Sequence, residues 1–399
     1  MAERDRAAIS IGGESAEGSA AAASGTNIGG GAVKLRSPEV QELMEPWLRE
    51  QEWMWLRERA GEWAEADVLP EDVIVWMHRK GFFKLFVPAA FGGRAVSLTE
   101  AIQLYEALAQ ADGSVAWLVQ IGAGGGFFVP SFEPAIAAEL FGPEQAVLAG
   151  SGAIGGYARR VTGGYRVSGR WRYASGAQYA TFFTANARIE GSDAIRAFVF
   201  LPHQVRLERD WRALGMRATS TWSFAVEDEF VPEELSFVVG QKRWEPGLGV
   251  YEVPFGLFAT ASIGAVAIGL AEACLWELDN AGRFSGKGQV RQWWQRWGYA
   301  HQLFHSIVAQ VEKDAEVGRL GPVQARRAEW LLQEAVQVVR RLLLELLPLA
   351  GMCAVVEGET LGRFVRDFLT VCQHRALWSW QWGMLSWGQE QDLVDSSAC

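Results

Sequence analysis

Cysteine is scarce in this chain, and what there is carries no pattern. Cys274, Cys353, Cys372 and Cys399 are the only four in 399 residues, with no CxxC pair and no metal-type spacing. A disulfide framework and a thiolate zinc site are therefore not expected. Cys274, Cys353 and Cys372 read as small core residues of a cytoplasmic protein. Basic runs are missing too. The net charge is −10 and the Lys and Arg residues are scattered, which excludes nucleic acid as a main partner, because phosphate binding needs a basic surface. Arg4 and Arg6 precede no apolar stretch, so no secretory leader is expected.

Several catalytic signatures are also absent. Gly122-Ala-Gly124-Gly-Gly126 lacks the strand–turn–helix setting and the glycine spacing of a dinucleotide loop, and Gly25-Thr-Asn-Ile-Gly29 with Lys34 does not match a P-loop. No GxSxG elbow is present. His301 and His305 have the four-residue spacing of zinc ligands, but no third ligand is apparent beside them, and they read as a helix surface or subunit contact; no metal is expected. The uncharged stretch 253–271 (VPFGLFATASIGAVAIGLA) approaches the ~20 residues that a bilayer requires. Its Gly, Ala, Ser and Thr content and its run into Glu272 instead suit a helix buried on all sides.

What the sequence does contain divides it into four parts. Residues 1–36 are rich in Gly, Ala and Ser and read as a mobile tail. Residues 37–145 read as an N-terminal helical domain, with a helix over Leu98–Ala111 and a cap at Asp112 or Ser114 opening the next. Residues 146–245 alternate in short runs (Tyr165–Tyr173, Phe182–Ile189, Ala197–Leu201, Ser223–Val226) around a Gly163-Gly164 turn. That pattern predicts an antiparallel β-barrel or sandwich. Residues 246–399 return to helical periodicity over 255–283, 288–317, 322–349 and 360–388, as in a four-helix bundle. The expected class is thus α+β and multidomain. Apolar residues make up 49% of the chain, enough for sizeable cores, and the 19 Trp residues leave aromatic material for a pocket.

Local motifs then carry a resemblance. Gly81-Phe-Phe-Lys-Leu-Phe-Val-Pro88 with Phe91-Gly92-Gly93, Gly150-Ser151-Gly152, Gly163-Gly164-Tyr165-Arg-Val-Ser-Gly169, Leu214-Gly215-Met216-Arg217-Ala218-Thr219, Val231-Pro232-Glu233 and Arg366-Asp367 occur in one order. From residue 37 onward the chain resembles the acyl-CoA dehydrogenase superfamily. The dehydrogenase branch would place a Glu base eight residues beyond Asp367, but that position is Arg375, which cannot deprotonate a carbon acid. Glu252 is a weaker candidate for a relocated base.

His374 beside that position, together with Trp171-Arg-Tyr-Ala-Ser175-Gly176, is similar to the flavin-dependent, two-component monooxygenases of this fold. The resemblance implies reduced FMN, or FAD, delivered by a separate NAD(P)H-dependent flavin reductase. It also implies O2 as cosubstrate, a flavin C4a-hydroperoxide, and a small aromatic or heteroatom-containing substrate. Ser175 and His374 would be catalytic, Ser175 accepting from flavin N5–H and His374 handling a proton near its ordinary pKa of ~6.5. Backbone N–H groups of the same turn would bind the polar edge of the ring. Ser151, Trp171, Tyr173, Ala174, Trp211, Gly351, Met352 and Ala354 would contact the cofactor, and Arg283 its phosphate across a subunit interface. Trp117, Gln120 and His374 would line the substrate pocket; phenol-hydroxylating relatives often add a histidine from the early helices, whereas the segment 117–126 here offers Gln120 but no histidine. The resemblance also implies a homotetramer. A thioester-oxidising FAD enzyme and a non-catalytic flavin-binding relative stand as the alternatives.

Overall fold

The fold is that of a computed structural model, which describes residues 47–280 and 287–378. Among the described residues five helices come first: α1 (Glu50–Arg59), α2 (Glu71–Arg79), α3 (Leu98–Ala111), α4 (Gly113–Gly124) and α5 (Pro134–Phe141). Their starts follow from local chemistry. Ser97 Oγ accepts from Glu100 N at 3.1 Å while the Glu100 carboxylate accepts from Ser97 N at 2.8 Å, a reciprocal box that opens α3. Asp112, not Ser114, caps α4, its Oδ1 accepting from Val115 N at 2.9 Å. The Lys84 of the Gly81–Pro88 motif is buried, and its ammonium donates to Phe91 O and Gly142 O, both at 2.9 Å, tying down the loop that carries Gly92-Gly93.

The central layer is one seven-stranded sheet in the order β5-β6-β2-β1-β3-β4-β7. Its strands are β1 (Leu148–Val161), β2 (Gly164–Ala174), β3 (Phe182–Ile189), β4 (Ile195–Phe200), β5 (Arg206–Glu208), β6 (Trp222–Pro232) and β7 (Ser236–Phe237). The expectation of an antiparallel domain needs correction, because β1 and β3 pair in parallel and the sheet is mixed. The reason is topological: β6 occupies the far edge of β2, so the chain leaving β2 crosses over and β3 joins the opposite edge of β1. Trp171, Phe183, Phe198, Phe200 and Phe224 fill the core on one face of this sheet.

Four helices follow among the described residues: α6 (Phe255–Asn280), α7 (Lys287–Glu316), α8 (Pro322–Ala350) and α9 (Thr360–Val371). α9 is shorter than the expected 360–388. His374 takes an extended backbone and its ring accepts from Ala376 N, which starts a separate 3-10 turn at Arg375–Leu377. α6 is long and apolar enough to cross a bilayer, but 94% of its apolar window is buried inside the protein, against α3, α4, α8 and α9. Glycine makes that packing close. A Cβ on Gly269 would stand 2.5 Å from Glu106 O and 2.8 Å from Glu106 Cα, so α6 and α3 touch backbone to backbone. Gly269→Ala should therefore cost about 1–3 kcal/mol of stability through overpacking, read as a lower denaturant midpoint at an unchanged m-value.

Candidate active site between the sheet and the last helices

Ser175 lies just past β2, where the strand turns sharply. Its neighbour Tyr173 has φ +67°, and across the turn Met216 and Ser220 have φ +54° and +45°. Three non-glycine residues in the left-handed region within one small volume store backbone strain, a pattern that concentrates at functional sites. The turn is closed internally: Ser175 N donates to Tyr173 O at 3.2 Å and Gly176 N to Thr219 O at 2.9 Å. Those two N–H groups, expected to face the polar edge of a flavin ring, are spent within the chain.

The Ser175 hydroxyl, 4% exposed, has the opposite character. It belongs to a chain of hydroxyls whose direction is fixed from one end. Thr219 Oγ1 donates to Met216 O at 2.7 Å, and a carbonyl can only accept. Thr219 must then accept in its 2.6 Å contact with Thr221 Oγ1, so Thr221 donates to Thr219. Thr221 in turn accepts in its 2.8 Å contact with Ser175 Oγ, which makes Ser175 the donor. From the other side Trp117 Nε1–H donates to Ser175 Oγ at 2.9 Å. Ser175 has thus committed its hydrogen and one lone pair, and keeps one lone pair.

Trp117, on α4, also reaches His374. The two rings meet edge-on with centroids 5.8 Å apart. His374 is not on a helix, as expected, but on the connector after α9. Its Nδ1 accepts from Ala376 N at 3.2 Å, which leaves the ring proton on Nε2 in the neutral form. Loss of hydration, reinforced by the neighbouring Arg375, pulls its pKa down to about 4. At neutral pH the side chain is thus a neutral Nε2–H donor, not the half-protonated acid–base group that an ordinary pKa implies. The connector is pinned by polar side chains on two helices: Thr260 Oγ1 of α6 and Gln333 Nε2 of α8 donate to Ala376 O at 3.1 and 2.9 Å, and Gln337 Nε2 donates to Leu377 O at 3.0 Å.

One turn along α4 from Trp117, Gln120 is buried, and its Oε1 has no partner among the described residues. A buried acceptor without a donor is costly, and it fits a ligand that brings an N–H or O–H group. Trp211 packs edge-on against Tyr173 at 6.2 Å and donates its indole N–H to Met216 O at 2.8 Å, so the Met216 carbonyl anchors both Trp211 and the hydroxyl chain. Met216 is itself held from α9, where Asp367 Oδ1 accepts from Met216 N at 2.5 Å and Thr370 Oγ1 from Gly215 N at 2.9 Å. Only glycine fits at 215, since a Cβ there would stand 2.3 Å from the Arg366 carbonyl. Arg366-Asp367 lies inside α9, where Asp367 fastens the Gly215–Thr219 loop.

Other expected contacts fall elsewhere. Trp171 is 1% exposed, stacked on Phe224 at 5.3 Å with its indole N–H on Asn186 O at 2.8 Å, which makes it a core residue of the sheet and no cofactor contact. Ala174 is fully buried, and Tyr173 is exposed. Ser151 is part-buried at the bulge of β1. Gly351 and Met352 form an exposed turn after α8 that packs with α9, whereas Ala354 is buried. Arg283 lies outside the described residues. Glu252 is exposed and paired with Lys242 at 2.5 Å, unsuited to a base in an enclosed site. The sequence reading missed Thr219 and Thr221 as partners of Ser175. Their signal was the run Thr219-Ser-Thr221 that closes and follows the Leu214–Thr219 motif.

Residues 49–129 match the N-terminal domain of acyl-CoA dehydrogenases. Indole-3-acetate monooxygenase of Pseudomonas putida is 27% identical over 335 residues, covering 79% of this chain and 85% of the relative. The flavin-dependent monooxygenase oxygenase subunit HsaA of Rhodococcus jostii is 28% identical over 214 residues, covering 51% of this chain and 56% of that protein. Among solved structures, XiaF from Streptomyces, in complex with FADH2 and glycerol, superposes with a TM-score of 0.76 at 20% identity, covering 85% of this chain and 91% of XiaF. Others of the same fold hold FMN. Residues 49–129 thus carry an acyl-CoA dehydrogenase N-terminal domain, and the chain as a whole is similar to flavin-dependent monooxygenases of that fold.

Proposed function

We propose that this chain is the oxygenase component of a two-component system. It would receive reduced FMN, with reduced FAD as the alternative, from a separate NAD(P)H-dependent reductase, and place one oxygen atom of O2 on an aromatic or heteroatom-containing small molecule. The observation that carries this reading is the convergence on Trp117, whose ring joins Ser175 to a neutral His374, with the unpartnered Gln120 acceptor one turn away. When bound, reduced flavin supplies the electrons that activate oxygen. The residues supply the rest. Ser175 Oγ offers its remaining lone pair to an N–H, Gln120 Oε1 offers a second acceptor, and His374 Nε2–H donates to a developing oxyanion. Trp117, with Trp211 and Tyr173, would wall the site against water. Thioester dehydrogenation is disfavoured because Arg375 stands at the expected base position and Glu252 is exposed.

A cytoplasmic homotetramer is part of the same reading. The buried thiols of Cys274 and Cys372 support a reducing compartment. The exposed Met352, Val355 and Val356 beyond α8 support burial against another copy. Indole-type rings are the first substrates to screen, given the activity that names the Pseudomonas putida relative. The protein, mixed anaerobically with reduced FMN or FAD and then with oxygen, should yield oxygenated product with little free peroxide. Flavin reduction by an acyl-CoA would overturn the reading, and so would an absence of flavin binding in both redox states. Trp117→Phe, which removes one donor from Ser175, should lower the product-to-oxygen ratio about fivefold, as about 1 kcal/mol of hydrogen bonding implies; this is checked by parallel product and peroxide assays.

A further inference from the structure

Outside this site, the structure supplies the ligand that the sequence did not offer to His301 and His305. Glu106 arrives from α3, 195 residues before His301, and its carboxylate divides between the two imidazoles. Oε2 lies 3.0 Å from His301 Nε2 and Oε1 lies 2.8 Å from His305 Nε2. The ligating atoms of all three residues fall within 4.8 Å of one another. We propose that Glu106, His301 and His305 form a site for one zinc ion that clamps α3 to α7.

Three features argue for an ion over a simple buried ion pair. The donor set, two imidazole nitrogens and one carboxylate, is one that zinc takes with a fourth position left to water. Zinc with bonds of ~2.0–2.1 Å needs neighbouring ligand atoms roughly 3.3 Å apart, so the two carboxylate–imidazole contacts would open by a few tenths of an ångström, while ligand atoms up to 4.8 Å apart would close on the ion. The three side chains are also held before any ion arrives. Trp297 stacks on His301 at 4.7 Å, His301 contacts His305 at 4.3 Å between ring centroids, and α3 meets α6 backbone to backbone at Glu106 and Gly269. Access is one-sided and adequate: the Glu106 side chain is 4% exposed, those of His301 and His305 32% and 20%, so ion and water would enter across α7.

This proposal does not rest on the monooxygenase reading, and its test does not measure turnover. The full-length protein, stripped with a chelator and dialysed free of it, is titrated with Zn²⁺ by calorimetry and by thermal melting. One equivalent should bind and raise the melting temperature. His305→Ala and His301→Ala should each abolish that equivalent and the zinc-induced shift. Glu106→Gln, which keeps the volume and the hydrogen-bonding capacity of the buried side chain, serves where an alanine variant folds poorly and should lose the equivalent as well. Co²⁺ in place of zinc should give visible bands without thiolate charge transfer. Zinc binding that survives the double variant His301→Ala/His305→Ala would overturn the proposal. So would a stripped protein that takes up no zinc, leaving Glu106 as a buried carboxylate held by two histidines.

Discussion

Replacing His374 with alanine should leave oxygen uptake from reduced flavin intact and cut oxygenated product by about 10²-fold or more, with the missing oxygen recovered as hydrogen peroxide. The expectation comes from the tautomer. Nδ1 is occupied by Ala376 N, so Nε2–H is the only proton that the ring can offer toward the Trp117 side of the site. His374→Asn separates the two duties, because its amide oxygen can still accept from Ala376 N while nothing reaches as far as Nε2. That variant should keep the melting behaviour of the wild type and lose coupling as the alanine variant does. Wild-type coupling should also show no inflection near pH 6.5, since burial and then Arg375 bring the His374 pKa to about 4. The stability sign is definite. A histidine whose folded pKa is depressed opposes folding at acid pH, so its contribution improves as pH rises from about 4 to ~6.5 and is constant above. A rate profile that titrates near 6.5 and loses that step in His374→Asn would refute the neutral-donor role.

The second large effect concerns Asp367. Burial, followed by the nearby Asp112 carboxylate, raises its pKa from 3.8 to about 7, against the opposing pull of Met216 N–H, Arg363 and Arg366; Cys274 feels its charge as well. An acid whose folded pKa is raised stabilises the fold fully below its unfolded pKa, and that contribution is lost as pH climbs through the folded value. Stability should therefore fall between pH ~4 and ~7, by an upper bound of roughly 4 kcal/mol for such a shift. Asp367→Asn keeps an oxygen for Met216 N and carries no charge. It should melt higher than the wild type at pH 8 and flatten that slope. Asp367→Ala should do the reverse, costing about 1–3 kcal/mol by leaving Met216 N buried without an acceptor. It should also lower coupling, because the Met216 carbonyl anchors Trp211 and Thr219. Equal melting temperatures for wild type and Asp367→Asn across pH 4–8 would remove the argument.

Legibility in the sequence followed the range of the interaction. Strand β3 was expected over Phe182–Ile189 and is found there, and α6, α7 and α8 begin within a residue of the positions that apolar periodicity gives. Such periodicity is local. The parallel β1–β3 pairing was not legible, because it depends on β6 already occupying the edge of β2. Ser175 and His374 could be named from short motifs, yet Trp117, the residue that joins them, appeared only as a pocket wall. An indole N–H aimed at a hydroxyl 58 residues away leaves no trace in spacing. Trp171 erred in the opposite direction: it sits in the right motif, but strand alternation turns it into the sheet core. Glu106 was hidden for the same reason as Trp117, being an ordinary helix-face acid until α7 is laid beside α3.

The one-way run of hydroxyls from Ser175 to the Met216 carbonyl has a consequence for which form of its cofactor the protein retains. Ser175 has no hydrogen left to give, so it meets a ligand atom only as an acceptor. Reduced flavin carries a hydrogen at N5 and would be accepted at Ser175, whereas oxidised flavin would present a bare nitrogen there, lone pair against lone pair. The chain would thus sort the two redox forms by a single hydrogen atom and let the spent form go. Thr221→Val, which frees the Ser175 hydrogen to turn toward the ligand, should narrow the ratio of affinities for reduced and oxidised flavin.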